Sequence, residues 1–344
     1  MKIKILFVYS NKSDPCTQLH CFELAKGLGK YADTLIVHFK ELDESILLNY
    51  HVIVLQRIGA TGIEITKTDF ELISSLINKH RKTKVFIYFL DDLVVEDQGG
   101  LPKDFMKLCH AVICTTDRLK KNLYQFNERI YILRNYVDLD FVKTVKKRDL
   151  EEFNVIWIST AGLGADMMKQ IINQVNKDMP ISFFYFGGRY KLIGNIEGIF
   201  SYPFQPFRDM ISWLKGCDIL LNPMSPDREY KTILERRTKR SIEEFLQCKS
   251  EIKYIIAGAT KTAFISSITE SNLHAVTNNW NGLLVEDTVE GWAEAIKRLY
   301  YDENLRKEII ENAHRDVADR YTLTGAAQKA MEIFTGLLKL TSMK

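Results

Sequence analysis

Short apolar runs alternate with longer amphipathic stretches along most of the chain. In the first half, KIKILFVYS, DTLIVHF, HVIVLQR, KVFIYFL, HAVICTT and RIYILRN are of strand length and rich in β-branched and aromatic residues. Their hydrophobicity is continuous rather than alternating, which predicts strands buried on both faces and therefore a parallel sheet. Between them, TQLHCFELAKGLGKY carries an apolar stripe at Leu19, Phe22, Leu24, Ala25 and Leu28, and TDFELISSLINKH and DRLKKNLYQF read as further helices. A charged, apolar-poor patch at 143–153, KTVKKRDLEEF, reads as a linker. The rhythm then restarts with NVIWIST, a helix from Ala165, ISFFYFGG, GIFSYPF, a helix from Phe207, DILLNPM, TAFISS and GLLVE, and closes in three helical segments. The prediction is an α/β protein of two tandem doubly wound, Rossmann-like domains, 1–145 and 150–322, with the ligand site in the cleft between them.

Composition narrows this picture in three ways. The 344 residues, 46% of them hydrophobic, suffice for two full cores. A formal charge of +3 is too mild for a nucleic-acid binder, which wants a strongly basic face. Six cysteines without CxxC or Cys/His metal spacing read as reduced, mostly buried thiols of a cytoplasmic protein. The apolar run of the N-terminus is too short for a secretory leader and reads as a first strand, and no stretch approaches a membrane span, so any membrane contact would be peripheral.

One segment breaks the rhythm. DREYKTILERRTKRSIEEF, 227–245, is highly charged and helix-prone. It reads as a solvated helix with internal Glu–Arg pairs, or as a basic arm over the cleft or toward an anionic membrane surface or a partner enzyme.

The candidate chemistry begins in CKSEIKYIIAGAT, 248–260. Lys249 and Lys253 stand four apart ahead of a small-residue apolar run. If a helix starts near Ser250, both ammonium groups crowd its positive end, which suits a bound anion. The alternative is a pair of surface lysines on an exposed helix end. STAGLGAD, 159–166, places Gly162 and Gly164 between a strand and a helix, as a phosphate cradle or as a plain turn.

The order of pieces in the C-terminal third, DILLNPM, CKSEIKYIIAGATKTAFISS, NWNGLLVEDTVEGWAEAIKRLYYD and ENLRKEIIENAHRDVADRYT, resembles the donor domain of family-4 glycosyltransferases of the GT-B type. In the first half, HVIVLQR, VFIYFLDDLV and CTTDRLKKNLYQFNERIYILRNYVDLDFV resemble one branch of the same family. The resemblance implies transfer of a sugar from a nucleotide-diphosphate sugar to a glycan, lipid-linked or other hydroxyl acceptor, as in polysaccharide biosynthesis. It implies retention of configuration, no cofactor beyond the nucleotide-sugar co-substrate, and no obligatory metal. It further implies that TGAAQKAMEIFTGLLKL crosses back, so that 323–344 completes the first domain.

Under that resemblance KSxxK is the donor diphosphate site: Lys249 and Lys253 supply cations and Ser250 a neutral donor, with Gly162 and Gly164 as a second cradle. A departing diphosphate needs such fixed positive groups or a metal ion, and no DxD triplet stands in the donor half. Gly188 and Tyr190, in FGGRY, fall where the nucleotide base is expected, or form an ordinary turn. The family's ribose-binding glutamate aligns with Ile256, with Lys261 and Ala263 in place of the usual glycine and proline. Either another acceptor serves, with Glu251 and Glu270 as the candidates, or nucleotide binding is weakened. Asp91 and Asp92 follow a buried strand and are the catalytic candidates, able to take a proton from the acceptor hydroxyl or to stabilise positive charge at the anomeric carbon, or else a turn-capping pair. Arg57 pairs with that acidic cluster or binds an acceptor phosphate. Thr17 lies on the acceptor side or caps the first helix, and His20 reads as a partly buried helix residue.

The departure at Ile256 keeps a second reading open, a non-catalytic GT-B subunit that binds a partner glycosyltransferase or a glycan. A nucleotide-sugar epimerase of the same fold is a third. The sequence names neither sugar, base, acceptor nor linkage.

Overall fold

The computed structural model describes residues 2–60, 64–159, 162–176, 179–226, 231 and 241–342. The chain divides into two compact units. The first comprises Met1–Asn135, Glu235–Ser250 and Leu323–Lys344, and the second Tyr136–Leu234 and Glu251–Thr322.

In the first unit β1 (Ile3–Tyr9), β2 (Ala32–His38), β3 (Val52–Gln56), β4 (Val85–Phe89), β5 (Ala111–Cys114) and β6 (Ile130–Ile132) form one sheet in the order β2-β1-β3-β4-β5-β6. Every pairing is parallel, with Val54 opposite both Phe7 and Ile87. All five residues of β3 and all five of β4 are buried, as the unbroken runs VIVLQ and VFIYF require of central strands covered on both faces. Strand order reverses between β1 and β3, so the crevice beyond their carboxyl ends is the place where such a sheet binds ligands. The helix Leu323–Ser342 joins this unit beside the helix Leu24–Leu28, and the approach is close. A Cβ on Gly27 would lie 2.8 Å from the Leu323 side chain.

In the second unit β7 (Phe153–Ile158), β8 (Ile181–Phe186), β9 (Ile199–Tyr202), β10 (Ile219–Asn222), β11 (Ala263–Ser267) and β12 (Leu283–Val285) form a parallel sheet in the order β12-β11-β10-β7-β8-β9. Successive residues alternate between two cores. Val155, Trp157, Ile219, Leu221 and Ile265 enter one, and Ile156, Leu220 and Phe264 the other. Here the order reverses between β7 and β10.

One segment departs from the sequence reading, and another is described only in part. The charged patch at 143–153 is no slack linker. The second unit begins at Tyr136, because Val137, Val142 and Val145 are buried in its core. Lys215 Nζ donates at 2.7 Å to the carbonyls of both Val142 and Val145, and the Arg148 guanidinium lies 3.8 Å over the Trp213 ring. The charges face out, while Val145 within the patch and Val137 and Val142 just ahead of it pack in. The segment described only in part is the charged arm. Of 227–245, residues 227–230 and 232–240 lie outside the described residues, and the helix Ile242–Gln247, capped by Ser241, groups with the first unit. Arg118 donates to the Glu244 carboxylate through Nε at 2.8 Å and also through Nη2, and Asn122 Nδ2 donates to it at 2.5 Å.

None of the six cysteines is in a disulfide, and five of them are buried. Among the described residues no helix is long and apolar enough to cross a membrane.

Candidate functional site

Beyond the carboxyl ends of β1, β3 and β4, the first unit gathers charged groups that lie far apart in the sequence. Asp14 caps the helix Pro15–Thr17 by accepting from the Cys16 amide, so the cap is Asp14 and not Thr17. Thr17 is instead fully buried and donates to Gln56 Oε1 at 2.8 Å. The chain continues as a π-helical turn, Gln18–Glu23, before the helix Leu24–Leu28. The extra residue in that turn rotates His20 and Cys21 inward, which an unbroken 3.6-residue stripe does not foresee. His20 is 1% exposed, its ring centroid 4.4 Å from that of Phe89 and its Nε2 3.7 Å from Asp91 Oδ2.

Arg57 is the hub. Its backbone is left-handed at φ 49°, an uncommon conformation for a residue other than glycine, and its side chain is buried. Nη1 donates to Asp91 Oδ1 at 2.8 Å and lies 3.6 Å from Asp92 Oδ2, while Nε is 3.9 Å from Asp14 Oδ2. Nη1 also reaches Cys16 Sγ at 3.1 Å, and Nη2 donates to the Ala60 carbonyl at 3.3 Å. Three carboxylates thus surround one guanidinium. Burial, the largest single influence, pushes Asp91 up, but Arg57 together with His20 and Cys16 outweighs it and holds the carboxyl far below the ordinary range. Burial raises Asp14, and Arg57 offsets this only in part.

Lys249 belongs to this cluster. Its Nζ sits 2.8 Å from Asp92 Oδ1 and 4.4 Å from the Phe245 ring centroid. Ser250 Oγ accepts from Asn135 Nδ2 at 2.6 Å. Because that hydroxyl is an acceptor toward Asn135, its own hydrogen is left to donate elsewhere.

The helix that follows starts later than expected. It runs Ile252–Thr260 with Glu251 at the N-cap and no side-chain cap. Lys253 therefore stands in its first turn, and Lys249 does not. Lys253 Nζ donates to Asn222 Oδ1 at 2.8 Å, and Asn222 Nδ2 donates to Ser266 Oγ at 2.9 Å. Asn222 ends β10, so its bond holds the ammonium beside the switch point of the second sheet. The other side of that point is the turn after β7. Gly162 and Gly164 take φ of 70° and 93°, and Gly164 precedes the helix Ala165–Val175. Gly164 N donates to the Ser225 carbonyl at 2.6 Å, and a Cβ there would lie 2.5 Å from Pro223, so only glycine fits.

The remaining candidates are dispersed. Gly188 is exposed in the turn after β8. Tyr190 opens the short helix Tyr190–Ile193 and packs half-buried on the core, rather than offering a free ring face. Arg189 lies against the glycine turn, with its Cδ 3.2 Å from where a Gly162 Cβ would be. It thereby brings a basic side chain to a loop that has none of its own. Glu251 is fully buried, Glu270 is half-buried at the start of the helix Glu270–Ala275 after β11, and Ile256 packs against the core. Asn222, Asn135, Asp14 and Arg189 were not foreseen as site residues. Asn222 alone left a signal, as the last residue of a strand running into NP.

No protein-family model matches the sequence, and no curated protein matches it. Solved structures do match in fold. A glycosyltransferase from Rickettsia africae ESF-5 is similar over 98% of this chain and 99% of its own, at 15% identity and a TM-score of 0.68. HepE of Anabaena, in complex with UDP-glucose, is similar over 97% and 100%, at 13% and 0.68. Sucrose-phosphate synthase from Thermosynechococcus elongatus is similar over 98% and 100%, at 10% and 0.65. The two six-stranded parallel sheets of this chain have the GT-B glycosyltransferase fold.

Proposed function

We propose that the protein is a glycosyltransferase that moves a sugar from a nucleotide-diphosphate sugar to a hydroxyl acceptor. The observation that carries this reading is Lys253. Its ammonium is held by Asn222 at the switch point of the second sheet, in the first turn of a helix that no side chain caps. Helix N–H groups and a fixed cation together suit a diphosphate. The glycine turn at Gly162 and Gly164 keeps the other side of the switch point free of bulky side chains, and Arg189 brings a basic side chain there. Similarity in fold to HepE, which binds UDP-glucose in its crystal structure, supports the same ligand class.

In the reaction the bond from the anomeric carbon to the diphosphate oxygen breaks, and its electron pair goes to the diphosphate. The acceptor oxygen forms the new bond to that carbon, and its proton goes to a carboxylate. Asp92 suits that role better than Asp91. Asp91 is locked to Arg57 and is too weak a base. Retention of configuration and independence of metal belong to the same proposal, as do Glu270 as a ribose acceptor and a glycan or lipid-linked acceptor.

Ile256 favours a second reading. An apolar side chain stands where a ribose acceptor is expected, as in a GT-B subunit that has lost catalysis and serves a partner enzyme or a glycan. Incubating the protein with a panel of nucleotide sugars and hydroxyl acceptors separates the two. Release of nucleoside diphosphate that depends on Lys253 supports transfer. Absence of any nucleotide binding, together with a stable complex with another protein, supports the subunit.

A further inference from the structure

We propose that Asp92 is the resident counter-ion of Lys249, holding the place of a phosphate, and that donor binding exchanges one anion for the other. This rests on reading Lys249 as a diphosphate ligand. The geometry divides the cluster into a fixed pair and an exchangeable one. Arg57 and Asp91 meet at 2.8 Å with side chains only 10% and 9% exposed, so water and ligand are shut out. Lys249 and Asp92 also meet at 2.8 Å, but at 26% and 20% exposure, open enough for a competing anion.

Three neighbouring features suit an exchange. Arg57 Nη1, 3.6 Å from Asp92 Oδ2, keeps the carboxylate in place once the lysine lets go. The Phe245 ring, 4.4 Å from Lys249 Nζ, steadies the ammonium independently of its anion. Ser250, with its hydroxyl turned to donate by Asn135, offers a phosphate oxygen a second bond one residue along. A diphosphate carries more charge than a single carboxylate, so it outcompetes Asp92. Donor arrival then releases Asp92 from its lysine and frees it to accept a proton. Lys249 thus couples donor occupancy to the readiness of the base.

The test is titration calorimetry on the full chain with UDP, GDP and inorganic pyrophosphate, comparing the unaltered protein with Asp92→Asn, Lys249→Met and the double variant. Removing the resident anion is expected to tighten binding about threefold to tenfold. Lys249→Met is expected to weaken it, and Asp92→Asn to have no effect in the Lys249→Met background. Binding to Asp92→Asn that is unchanged or weaker overturns the exchange while leaving the diphosphate reading in place. Failure of all three probes to bind any form overturns that reading and the exchange with it. Asp92→Ser serves if Asp92→Asn does not fold. If neither folds, Asp92 is a structural anchor and the exchange is overturned.

Discussion

Arg57 and Asp91, the first at the end of β3 and the second just beyond β4, form a buried ion pair with Nη1 2.8 Å from Oδ1. The pair fixes the carboxyl ends of two neighbouring strands to each other, and a left-handed backbone at Arg57 is tolerated to make it. Removing one partner strands the other charge out of water. Arg57→Ala and Asp91→Ala are each expected to cost about 3–5 kcal/mol in urea unfolding. Replacing both together by apolar residues of similar volume is expected to cost less than the sum of the two.

The same pair sets a pH dependence. Arg57, helped by His20 and Cys16, holds Asp91 below its ordinary value despite burial, so its folded pKa lies under its unfolded value of about 4. Its contribution to stability is therefore full above that unfolded value and is lost as pH falls through the folded one. The stability of the unaltered protein is expected to fall more steeply than that of Asp91→Asn between about pH 5 and about pH 3. Asp14, raised by burial, acts in the opposite sense, which is why the comparison with Asp91→Asn is needed rather than the raw profile. Urea midpoints at matched ionic strength provide the measurement.

Gly164 is expected to tolerate no side chain. At φ 93° and with a would-be Cβ 2.5 Å from Pro223, Gly164→Ala combines left-handed strain with a clash. The cost is expected to be about 1–3 kcal/mol or more from the backbone alone. Phosphate binding is expected to weaken with it, because the turn after β7 must move. Unfolding midpoints and pyrophosphate titration read the two effects separately.

Asn222 is expected to matter through Lys253. Asn222→Ala leaves the ammonium without its tether at the end of β10. Nucleoside diphosphate affinity is expected to drop about threefold to tenfold. In the Lys253→Ala background the same substitution is expected to add little, since its partner is already gone.

Much of this was legible in the sequence because buried parallel strands leave an unambiguous trace. The runs that became β1, β3, β4, β7, β10 and β11 are continuous, short and bounded by polar residues, so their existence follows from pattern alone. The pairing of Arg57 with the acidic residues after β4 was also legible, since adjacent parallel strands bring their ends together. Four features were not. The π-helical turn at Gln18–Glu23 inserts one residue that no periodicity announces, and it decides that His20 faces inward. The start of the helix at Ile252 rather than Ser250 separates Lys249 from Lys253, which equal spacing had placed on one face. The anion beside Lys249 is Asp92, 157 positions away, and spacing within KSxxK says nothing of it. Buried Val137 and Val142 just ahead of the charged patch, and Val145 within it, likewise hid the true start of the second unit.

The central claim is that Lys253 binds the diphosphate of a nucleotide sugar, and thermal unfolding with a panel of nucleoside diphosphates and their sugars tests it most directly. Ligand at about a hundred times its dissociation constant stabilises the native state by about 2.7 kcal/mol. The expected result is a rise in Tm with at least one nucleotide, lost or strongly reduced in Lys253→Ala, whose ligand-free Tm stays close to that of the unaltered protein. No rise with any nucleotide, or an equal rise in Lys253→Ala, would contradict the account.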